Sequence, residues 1–321
     1  MSDETILITG GTGFIGAYTA AHAIDRGNTA VAFDINDDTT ILEKVGIDES
    51  VEVITGDITD PTDVFDAVHQ SGATRIIHLA SLLTDLSNEH PRHAIDVNIK
   101  GTNTVFEAAK TFDDQIDRVA WASSSAVYAP PDRYADPEVD EEDLVYPETL
   151  YGAAKEYNEH QATIYRENYS VSLIGLRPTL VYGPYRQSGS ASAYTRVIEG
   201  PALNEPVSVG PKDHVFDWQH VADAAQAFYL GAMRPESDLS RTVYNVCGER
   251  ATVAEIADIV LEYLPDADIS LQAGDPAPWN HHMDMSAAKA DLGYDPEYDL
   301  RSGIVSYINS VRNEHGFETV S

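Results

Sequence analysis

Residues 5–16 of the chain read TILITGGTGFIG. The first five are apolar or β-branched and predict a buried strand, and the pattern that starts at Phe14 predicts a helix. Between them, Gly10, Gly13 and Gly16 recur at intervals of three residues. The first glycine permits a tight turn, the second lets the backbone approach a pyrophosphate, and the third lets the helix pack closely on the strand. Because the helix N-terminus also offers free N–H groups to phosphates, this stretch predicts a dinucleotide-binding site.

Short apolar runs alternate with helical patterns through the first half of the chain. The runs include residues 29–33, 75–79 and 118–122, and the longest helical patterns cover residues 94–110 and 151–168. Strands that are apolar on both faces and alternate with helices form parallel sheets covered by helices on both sides. We therefore predict an α/β fold with a Rossmann-type, doubly wound parallel sheet and a smaller C-terminal substrate lobe.

The alternation loosens past the middle of the chain, in a stretch rich in Gly, Pro and Ser. The division that this predicts is a dinucleotide-binding domain over residues 1–177, to which residues 215–247 return. Residues 178–214 and 248–321 then form the substrate lobe. Such a lobe covers the carboxyl edge of the sheet, where ligands bind in open α/β folds.

The composition excludes several classes of protein and partner. The chain has 321 residues, 43% of them hydrophobic, which is enough for a large core and argues against disorder. Its 53 acidic and 20 basic residues give a net charge of −33, so neither nucleic acid nor an anionic membrane is an expected partner. No apolar run of the sequence reaches the ~20 residues needed to cross a bilayer. The N-terminus lacks the basic stretch of a signal peptide, which predicts a cytoplasmic protein.

The acidic residues are spread along the chain rather than gathered in a tail. Such a composition resembles that of proteins from salt-loving archaea, in which dense salt screens the self-repulsion. An ordinary acidic protein is the alternative. The single Cys247 excludes an internal disulfide and a cysteine-cluster metal site, and we predict no metal.

Asp34 ends the second predicted strand and bears on the choice of cofactor. An acidic side chain there hydrogen-bonds the ribose hydroxyls of a dinucleotide and repels the extra phosphate of NADP, so it predicts NAD. Because residues 34–38 are rich in Asp, the alternative is a solvent-exposed loop acid.

Tyr151 and Lys155 lie four residues apart at the start of a predicted helix and so share one face. A Lys ammonium beside a phenol lowers the pKa of the phenol from about 10 toward the working pH. Residues 123–125 are all Ser and directly follow a predicted strand, where a hydroxyl can orient a substrate alcohol. Beside a dinucleotide site, this set predicts an oxidoreductase.

The chain resembles the extended short-chain dehydrogenases/reductases, the NAD-dependent epimerase/dehydratase group. The resemblance covers most of the chain and implies an enzyme with NAD as its cofactor. It rests on the matching stretches Thr9–Gly16, Gly56-Asp57, His78-Leu79-Ala80, Asn98, Ser124, Tyr151 with Lys155, and Arg177-Pro178. It implies that Asp57 and Ile58 flank the adenine. It also implies that Leu79 and Ala80 lie along the cofactor, with Asn98 supporting the helix behind the site.

The resemblance also implies the catalytic roles. Tyr151 is the implied general acid/base, and Lys155 lowers its pKa and holds the nicotinamide ribose. The family's catalytic Ser or Thr stands four residues before an aromatic residue. Counted back from Tyr128, this position is Ser124, with Ser125 as the fallback. The predicted cofactor contacts are, in full, Gly10, Gly13, Phe14, Ile15, Gly16, Asp34, Asp57, Ile58, Leu79, Ala80, Ser81, Asn98, Tyr151, Lys155 and Pro178.

Two differences from the family's nucleotide-sugar enzymes bear on the reaction. Dehydratases usually carry an acidic residue just after the catalytic hydroxyl, where this chain has Ser125 and Ala126, so dehydration is disfavoured. Epimerases usually present two Arg to the substrate pyrophosphate, where this chain has Phe216 and Gln272. The loss of these charge-assisted bonds favours a smaller substrate, and the net charge of −33 adds to this. The other donors that spacing alone does not exclude are Arg186, Arg196 and Arg241.

A partial resemblance to the short-chain-type L-threonine dehydrogenases favours the same conclusion. It rests on residues 78–83, on residues 244–246 followed by Thr252, and on Trp279, which in that family covers a small substrate. Trp279 as a plain core residue of the lobe is the alternative. In contrast, residues 177–184 are closer to the sugar epimerases. The predicted substrate contacts are Leu82, Leu83, Thr84, Ser125, Thr179 and Trp279.

Two hypotheses for the function follow. In the first, the enzyme uses NAD to oxidise a secondary alcohol of a small polar substrate, such as a hydroxy amino acid, a hydroxy acid or a free sugar derivative. Ser124, Tyr151 and Lys155 are then the catalytic residues. In the second, it holds NAD tightly and epimerises a sugar or nucleotide sugar through a transient keto intermediate, as UDP-glucose 4-epimerases do.

The resemblance also implies a homodimer. Family members commonly pair through two long helices, here at residues 94–110 and 151–168, which form a four-helix bundle. The second helix has a face with few charges, formed by Ala154, Tyr157, Asn158, Gln161, Ala162 and Tyr165. The alternative is that this face packs only on the sheet.

Overall fold

A parallel sheet of seven strands forms the centre of the protein in the computed structural model, which describes residues 4–136, 138–186, 189, 192–275 and 282–321. Numbered along the described chain, the strands of this sheet and of the smaller sheets are β1 (Thr5–Thr9), β2 (Thr29–Asp34), β3 (Glu52–Thr55), β4 (Arg75–His78), β5 (Arg118–Ala122), β6 (Glu138–Val139), β7 (Leu173–Pro178), β8 (Leu180–Tyr182), β9 (Val207–Val209), β10 (Val215–His220), β11 (Val243–Val246), β12 (Glu249–Thr252), β13 (Ile269–Leu271) and β14 (His282–Met283). The sheet has the order β11-β7-β5-β4-β1-β2-β3, and every pair in it is parallel. This confirms the predicted Rossmann-type fold.

Helices cover both faces of this sheet. They are α1 (Phe14–Asp25), α2 (Thr40–Val45), α3 (Pro61–Ser71), α4 (Thr84–Glu89), α5 (Pro91–Ala94), α6 (Thr102–Thr111), α7 (Leu150–Tyr169), α8 (Ser192–Ala202), α9 (Val221–Met233), α10 (Val253–Tyr263) and α11 (Leu300–Glu314). Within β1, Ile6 and Ile8 pack with α1 and α9 on one face. Leu7 packs with α3, α6 and α7 on the other face, as expected for a strand that is buried on both sides.

The substrate lobe has its own small sheet and core. Strand β10 pairs in parallel with β8 and antiparallel with β12, and helices α8, α10 and α11 pack around them. The sequence analysis assigned residues 215–247 to the dinucleotide-binding domain, whereas residues 215–220 form a strand of the small sheet. The chain returns to the main sheet only with α9, whose Phe228 is fully buried against it. The division into two domains remains a prediction.

The predicted helix at residues 94–110 is divided into three parts. A stretch of wide π-type turns, Ile95–Gly101, separates α5 from α6. The backbone carbonyl of Asn98 in this stretch accepts hydrogen bonds from the side chains of Thr102, at 2.8 Å, and Asn158, also at 2.8 Å. Side chains that insert into the helical hydrogen-bond ladder widen it in this way.

Helix α7 matches its prediction closely and presents a different outer face from the one predicted. The Oγ1 of Thr149 caps it by accepting from the N–H of Gly152 at 3.0 Å. Four of the six positions predicted to face a second copy are buried within the chain: Ala154, Asn158, Ala162 and Tyr165. Half-exposed apolar side chains instead recur every seven residues, at Leu150, Tyr157 and Ile164.

None of the helices in the described ranges combines the length and the apolar character that a membrane span requires. Within the same ranges, His, Cys, Asp and Glu side chains do not gather in groups of three or more that would hold a metal ion.

Candidate active site

A cavity of about 700 Å³ lies at the carboxyl edge of the main sheet. Its lining comes from the loops that follow β1, β2, β3, β4, β5 and β7, where open α/β folds bind ligands. Most residues predicted to contact cofactor or substrate line it: Gly10, Gly13, Phe14, Ile15, Gly16, Asp34, Asp57, Ile58, Leu79, Ala80, Ser81, Leu82, Leu83, Ser124, Tyr151, Lys155, Pro178 and Thr179. The chain thus brings two separately predicted sets of residues together in one cavity.

Three predicted contacts do not line this cavity, and a fourth, Trp279, lies outside the described residues. Thr84 begins helix α4, and Ser125 begins the short turn after β5. Asn98 is buried and holds the neighbouring loop from behind. Its amide oxygen accepts from the N–H of Leu82 at 2.8 Å, and its amide nitrogen donates to the carbonyl of Leu82 at 2.9 Å.

The glycine-rich loop has the geometry that its sequence predicts. Gly10 has a φ of 69°, and a Cβ there would lie 2.9 Å from the backbone nitrogen of Ala80. A Cβ on Gly16 would lie 2.1 Å from the carbonyl oxygen of Gly10, so the helix approaches the loop more closely than any side chain allows. A Cβ on Gly13 would meet only that same oxygen, at 3.2 Å, and so this residue leaves the cavity open in front of helix α1.

The two ends of this part of the cavity offer complementary chemistry. Gly13 precedes α1, and no side chain of the described residues caps that helix, so its first N–H groups are available to an anion. At the other end, the carboxylate of Asp34 accepts from the N–H groups of Thr12, at 3.2 Å, and Ile35, at 2.8 Å. These bonds hold the carboxylate at the wall of the cavity and not in open solvent.

Tyr151 lies at the inner end of the cavity, in the first turn of α7. The hydroxyls of Ser124 and Ser81 lie close enough to its phenol for hydrogen bonding to lower its pKa. Burial raises the pKa of Tyr151, and these two bonds and the charge of Arg186 act against that rise. Ser124 follows β5, and its Oγ also accepts from the N–H of Ala126 at 3.1 Å. The phenol and the serine predicted as partners are therefore in contact.

Lys155 lies beside Tyr151 and is itself deeply buried. Its side chain is only 2% exposed, its Nζ donates to the carbonyl of Ala122 at 2.6 Å, and that Nζ lies 5.4 Å from the ring centroid of Tyr151. Burial lowers the pKa of Lys155 to about 7. An amine with that pKa carries only part of its positive charge near neutral pH.

One turn beyond Lys155, helix α7 is fixed to the sheet by a buried ion pair. Glu159 accepts from the Nε of Arg177 at 2.8 Å and from its Nη2 at 2.7 Å, and from the Oγ of Ser123 at 2.5 Å. Arg177 also donates to the hydroxyl of Tyr128 at 2.7 Å. Burial lowers the pKa of Arg177, but the bonds to Glu159 outweigh it and hold that pKa above its ordinary value. These contacts join the helix that carries Tyr151 to the strand end that carries Ser124.

The two positions where a pyrophosphate-binding Arg is usual are occupied by other side chains. The ring of Phe216 stacks on that of His214, with centroids 4.0 Å apart, and meets that of Tyr194 at 4.7 Å. The amide nitrogen of Gln272 donates to the Oγ of Ser208 at 2.5 Å. Neither side chain lines the described cavity.

Of the three other arginines considered as donors, only Arg186 lines the cavity. Arg196 is exposed on α8, and Arg241 pairs with Glu142. Sequence reasoning could not separate the three, because Arg186 stands in a loop without helical or strand periodicity. Lining residues that the sequence analysis missed include Ile35, Leu86, His93 and Val97, which carry no motif.

This fold and this cavity define a Rossmann-type dinucleotide-binding enzyme. The sequence model of the NAD dependent epimerase/dehydratase family matches residues 6–247, and the chain belongs to that family. Its cofactor is NAD. The residues present fit that group: the uncapped N-terminus of α1 would hold the pyrophosphate, and the carboxylate of Asp34 would hold ribose hydroxyls.

Individual relatives divide between two activities. UDP-glucuronate 4-epimerase 2 of Arabidopsis thaliana is 28% identical over 335 residues, which cover 95% of this chain and 75% of that protein. A partial consensus L-threonine 3-dehydrogenase has a similar structure, with a TM-score of 0.85 at 23% identity over 96% of this chain and 99% of that one. The UDP-glucose 4-epimerase of Thermus thermophilus, in a complex with NAD, gives a TM-score of 0.79 at 24% identity, again over 96% and 99%.

Proposed function

We propose that this protein is an NAD-dependent oxidoreductase that acts on a secondary alcohol of a small polar substrate. The substrate classes that we propose are hydroxy amino acids, hydroxy acids and free sugar derivatives. The observation that carries the proposal is the contact of Tyr151 with Ser124 and Ser81, inside the same cavity that the glycine-rich loop opens.

The chemistry divides between the cofactor and the protein. When bound, NAD⁺ accepts a hydride from the substrate carbon and adds a positive charge that favours the phenolate of Tyr151. Tyr151 then accepts the proton of the substrate hydroxyl, and Ser124 orients that hydroxyl by a hydrogen bond. Lys155 fixes the end of β5 through Ala122, and we propose that it also holds the nicotinamide ribose.

The surroundings of Phe216 and Gln272 support a small substrate. Each side chain is already engaged with neighbouring residues of the lobe, and neither carries a charge that pairs with a pyrophosphate. A nucleotide sugar would therefore lose the strong, charge-assisted bonds that its diphosphate needs.

The alternative is a sugar epimerase that returns the hydride to the opposite face of the same carbon. The relationship to UDP-glucuronate 4-epimerase 2, at 28% identity over most of the chain, favours it. Both reactions would use Tyr151 as the proton acceptor. They differ in their products, because only the dehydrogenase releases NADH in proportion to the substrate consumed.

The deciding experiment is to incubate the protein with NAD⁺ and a set of candidate substrates in molar KCl. The set contains L-threonine, hydroxy acids, uronates, aldoses, UDP-glucose and UDP-galactose, and the absorbance of NADH is followed. Steady NADH formation from a small substrate supports the proposal. Interconversion of the UDP-sugars without net NADH, or micromolar binding of either in calorimetry, supports the epimerase.

A pair of variants tests the role of Tyr151 in whichever reaction is found. Tyr151→Phe should reduce kcat by a factor of about 10² or more, because the proton acceptor is lost, and should leave NAD binding intact. Tyr169→Phe removes a hydroxyl from an exposed position of the same helix and serves as the matched control. Near-normal kcat in Tyr151→Phe would show that another group is the base.

We further propose that the protein is a homodimer whose interface covers the outer face of α7. Leu150, Tyr157 and Ile164 form an apolar stripe there that an acidic surface does not otherwise need, and Ile95 on the neighbouring segment is also half exposed. Light scattering in high salt should give twice the mass of one chain. Ile164→Glu should reduce it to that of a single chain, and a wild-type protein with the mass of one chain would contradict the dimer.

A further inference from the structure

Arg186 is a half-buried cation in the cavity with an unused hydrogen-bonding edge. Its Nη1 donates to the carbonyl of Val181. Its Nε is buried and has no hydrogen-bond partner among the described residues, and no bond of its Nη2 to them is formed either. Nε and Nη2 together form the edge of a guanidinium that receives a carboxylate in a two-pronged pair. Arg177 uses this same edge for Glu159.

The charge of Arg186 has no acidic partner in the described part of the chain. Burial lowers the pKa of Arg186, and the described groups that act against this are Tyr307 and Tyr151. The chain has 53 acidic residues, so a cation without a carboxylate beside it is unusual here. A buried guanidinium without a counter-ion is unfavourable, and a bound anion would relieve this.

Arg186 lies beside Leu83, a lining residue of the cavity that the sequence predicts to contact the substrate. A Cβ built on Gly189 would lie 3.2 Å from the Nη2 of Arg186 and 2.7 Å from the Cδ1 of Leu83, so the guanidinium, that leucine and the glycine are close neighbours in the wall of the cavity. The charge of Arg186 also acts on Tyr151, which places it within electrostatic reach of the proposed base. An anion on Arg186 would therefore belong to the molecule whose hydroxyl meets Tyr151.

We propose that Arg186 binds a carboxylate of the substrate and so selects hydroxy acids, hydroxy amino acids or uronates over neutral alcohols and sugars. This inference rests on the proposed function. The other source of an oxyanion in the cavity is the pyrophosphate of the cofactor, since the guanidinium carbon of Arg186 lies 5.8 Å from the ring centroid of Phe14, at the start of α1. The two sources predict different effects of the same substitution.

The test compares matched substrates and three variants. The wild type, Arg186→Gln, Arg186→Lys and the exposed control Arg133→Gln are assayed with L-threonine against its amide and with galacturonate against galactose, at constant ionic strength. For the acid of each pair that reacts, Arg186→Gln should raise KM at least tenfold, Arg186→Lys should restore part of the loss, and Arg133→Gln should match the wild type. The affinity for NAD, measured by calorimetry, should stay the same in all four proteins.

Three results would overturn the inference. One is a wild-type protein that uses or binds the neutral compound of a pair with the same efficiency or affinity as the acid. Another is an Arg186→Gln protein whose KM rises equally for the acid and for the neutral compound of a pair. The third is an Arg186→Gln protein that loses affinity for NAD instead, which would assign the guanidinium to the pyrophosphate. If no substrate of either pair is oxidised, calorimetry of the NAD-loaded protein compares the binding of the acid and of the neutral compound.

The outcomes also separate this inference from the proposed function. If neutral alcohols are oxidised and Arg186→Gln has no effect, the inference is rejected and the proposed function stands. If the protein only epimerises UDP-sugars, both the inference and the proposed function are rejected. Unfolding curves check that both Arg186 variants are folded.

Discussion

Replacing Glu159 with Gln should destabilise the protein by about 3–5 kcal/mol. The side chains of Glu159 and Arg177 are only 11% and 4% exposed, and they are joined by two hydrogen bonds of 2.8 and 2.7 Å. Gln has nearly the same shape as Glu, so little packing is lost. The substitution does remove the only negative charge in this pair and leaves the guanidinium of Arg177 buried without it. That uncompensated charge is the source of the expected loss.

The assay is equilibrium unfolding in urea, followed by circular dichroism in molar KCl. Glu167→Gln is the matched control, because Glu167 is exposed on the same helix and its loss should change the free energy of unfolding by less than about 0.5 kcal/mol. A second comparison removes both charges. Glu159→Leu combined with Arg177→Met should recover part of the stability lost in Glu159→Gln, because no unpaired charge is left.

Activity provides an independent readout of the same substitution. Glu159 also accepts from Ser123, the residue before Ser124, so its loss should loosen the strand end beside Tyr151 and lower kcat. A loss of less than about 1 kcal/mol in Glu159→Gln, equal to the control, would refute the reasoning. It would show that the desolvation of the two charges already cancels their attraction.

Three further outcomes can be measured on the whole protein. Asp34→Ala should weaken the preference for NAD over NADP in a cofactor titration, and tighter binding of NADP by the wild type would contradict the role of Asp34. The kcat/KM for alcohol oxidation should rise with pH into the alkaline range, because burial raises the pKa of Tyr151 and only its phenolate accepts a proton; a flat profile would indicate another base. The melting temperature should rise between about 0.1 and about 2 M KCl, since salt screens a net charge of −33, and a flat or falling value would remove the resemblance to salt-adapted proteins.

The main fold was predictable because its information is local. Strand β1, at the centre of the sheet, is apolar on both faces, and the glycine spacing of residues 10–16 identifies the turn between β1 and α1. Strands at the carboxyl edge then bring Asp34, Ser124 and Tyr151 together without any further information. Most of the predicted contacts therefore line the cavity, although lining residues without a motif, such as Leu86 and His93, were missed.

The wide turns within residues 94–110 were not predictable in the same way. The periodicity of this stretch is that of an ordinary helix, and the widening depends on Asn158, which is 60 residues away from Asn98 along the chain. The outer face of α7 was also not predictable from the periodicity of the sequence. Ala154, Asn158 and Ala162 recur at helical spacing, but spacing does not tell which of two partners, the sheet or a second copy, covers a face.

The pKa of Tyr151 depends on burial, which the spacing of residues in the sequence does not reveal. The interval of four residues correctly places Lys155 beside Tyr151, at 5.4 Å from its ring. It does not reveal that both side chains are buried, and burial acts on them in opposite directions, toward a neutral phenol and a neutral amine. Among the described groups, the charge of Arg186 is one that acts against the effect of burial on Tyr151.

The net charge of the whole chain does not predict which ligands the cavity binds, because binding depends on the charges close to the cavity. A total of −33 argues against an anionic ligand when it is treated as a property of the whole molecule. In salt of about 0.1 M, however, exposed charges more than about 10 Å away are largely screened, and at higher salt the range is shorter still. Within that range, and among the described residues, the cavity contains the uncapped N-terminus of α1 and the Nε of Arg186, which has no hydrogen-bond partner. We therefore expect the surface charge to set the response of stability to salt, and these few groups to set the affinity of the cavity for anions.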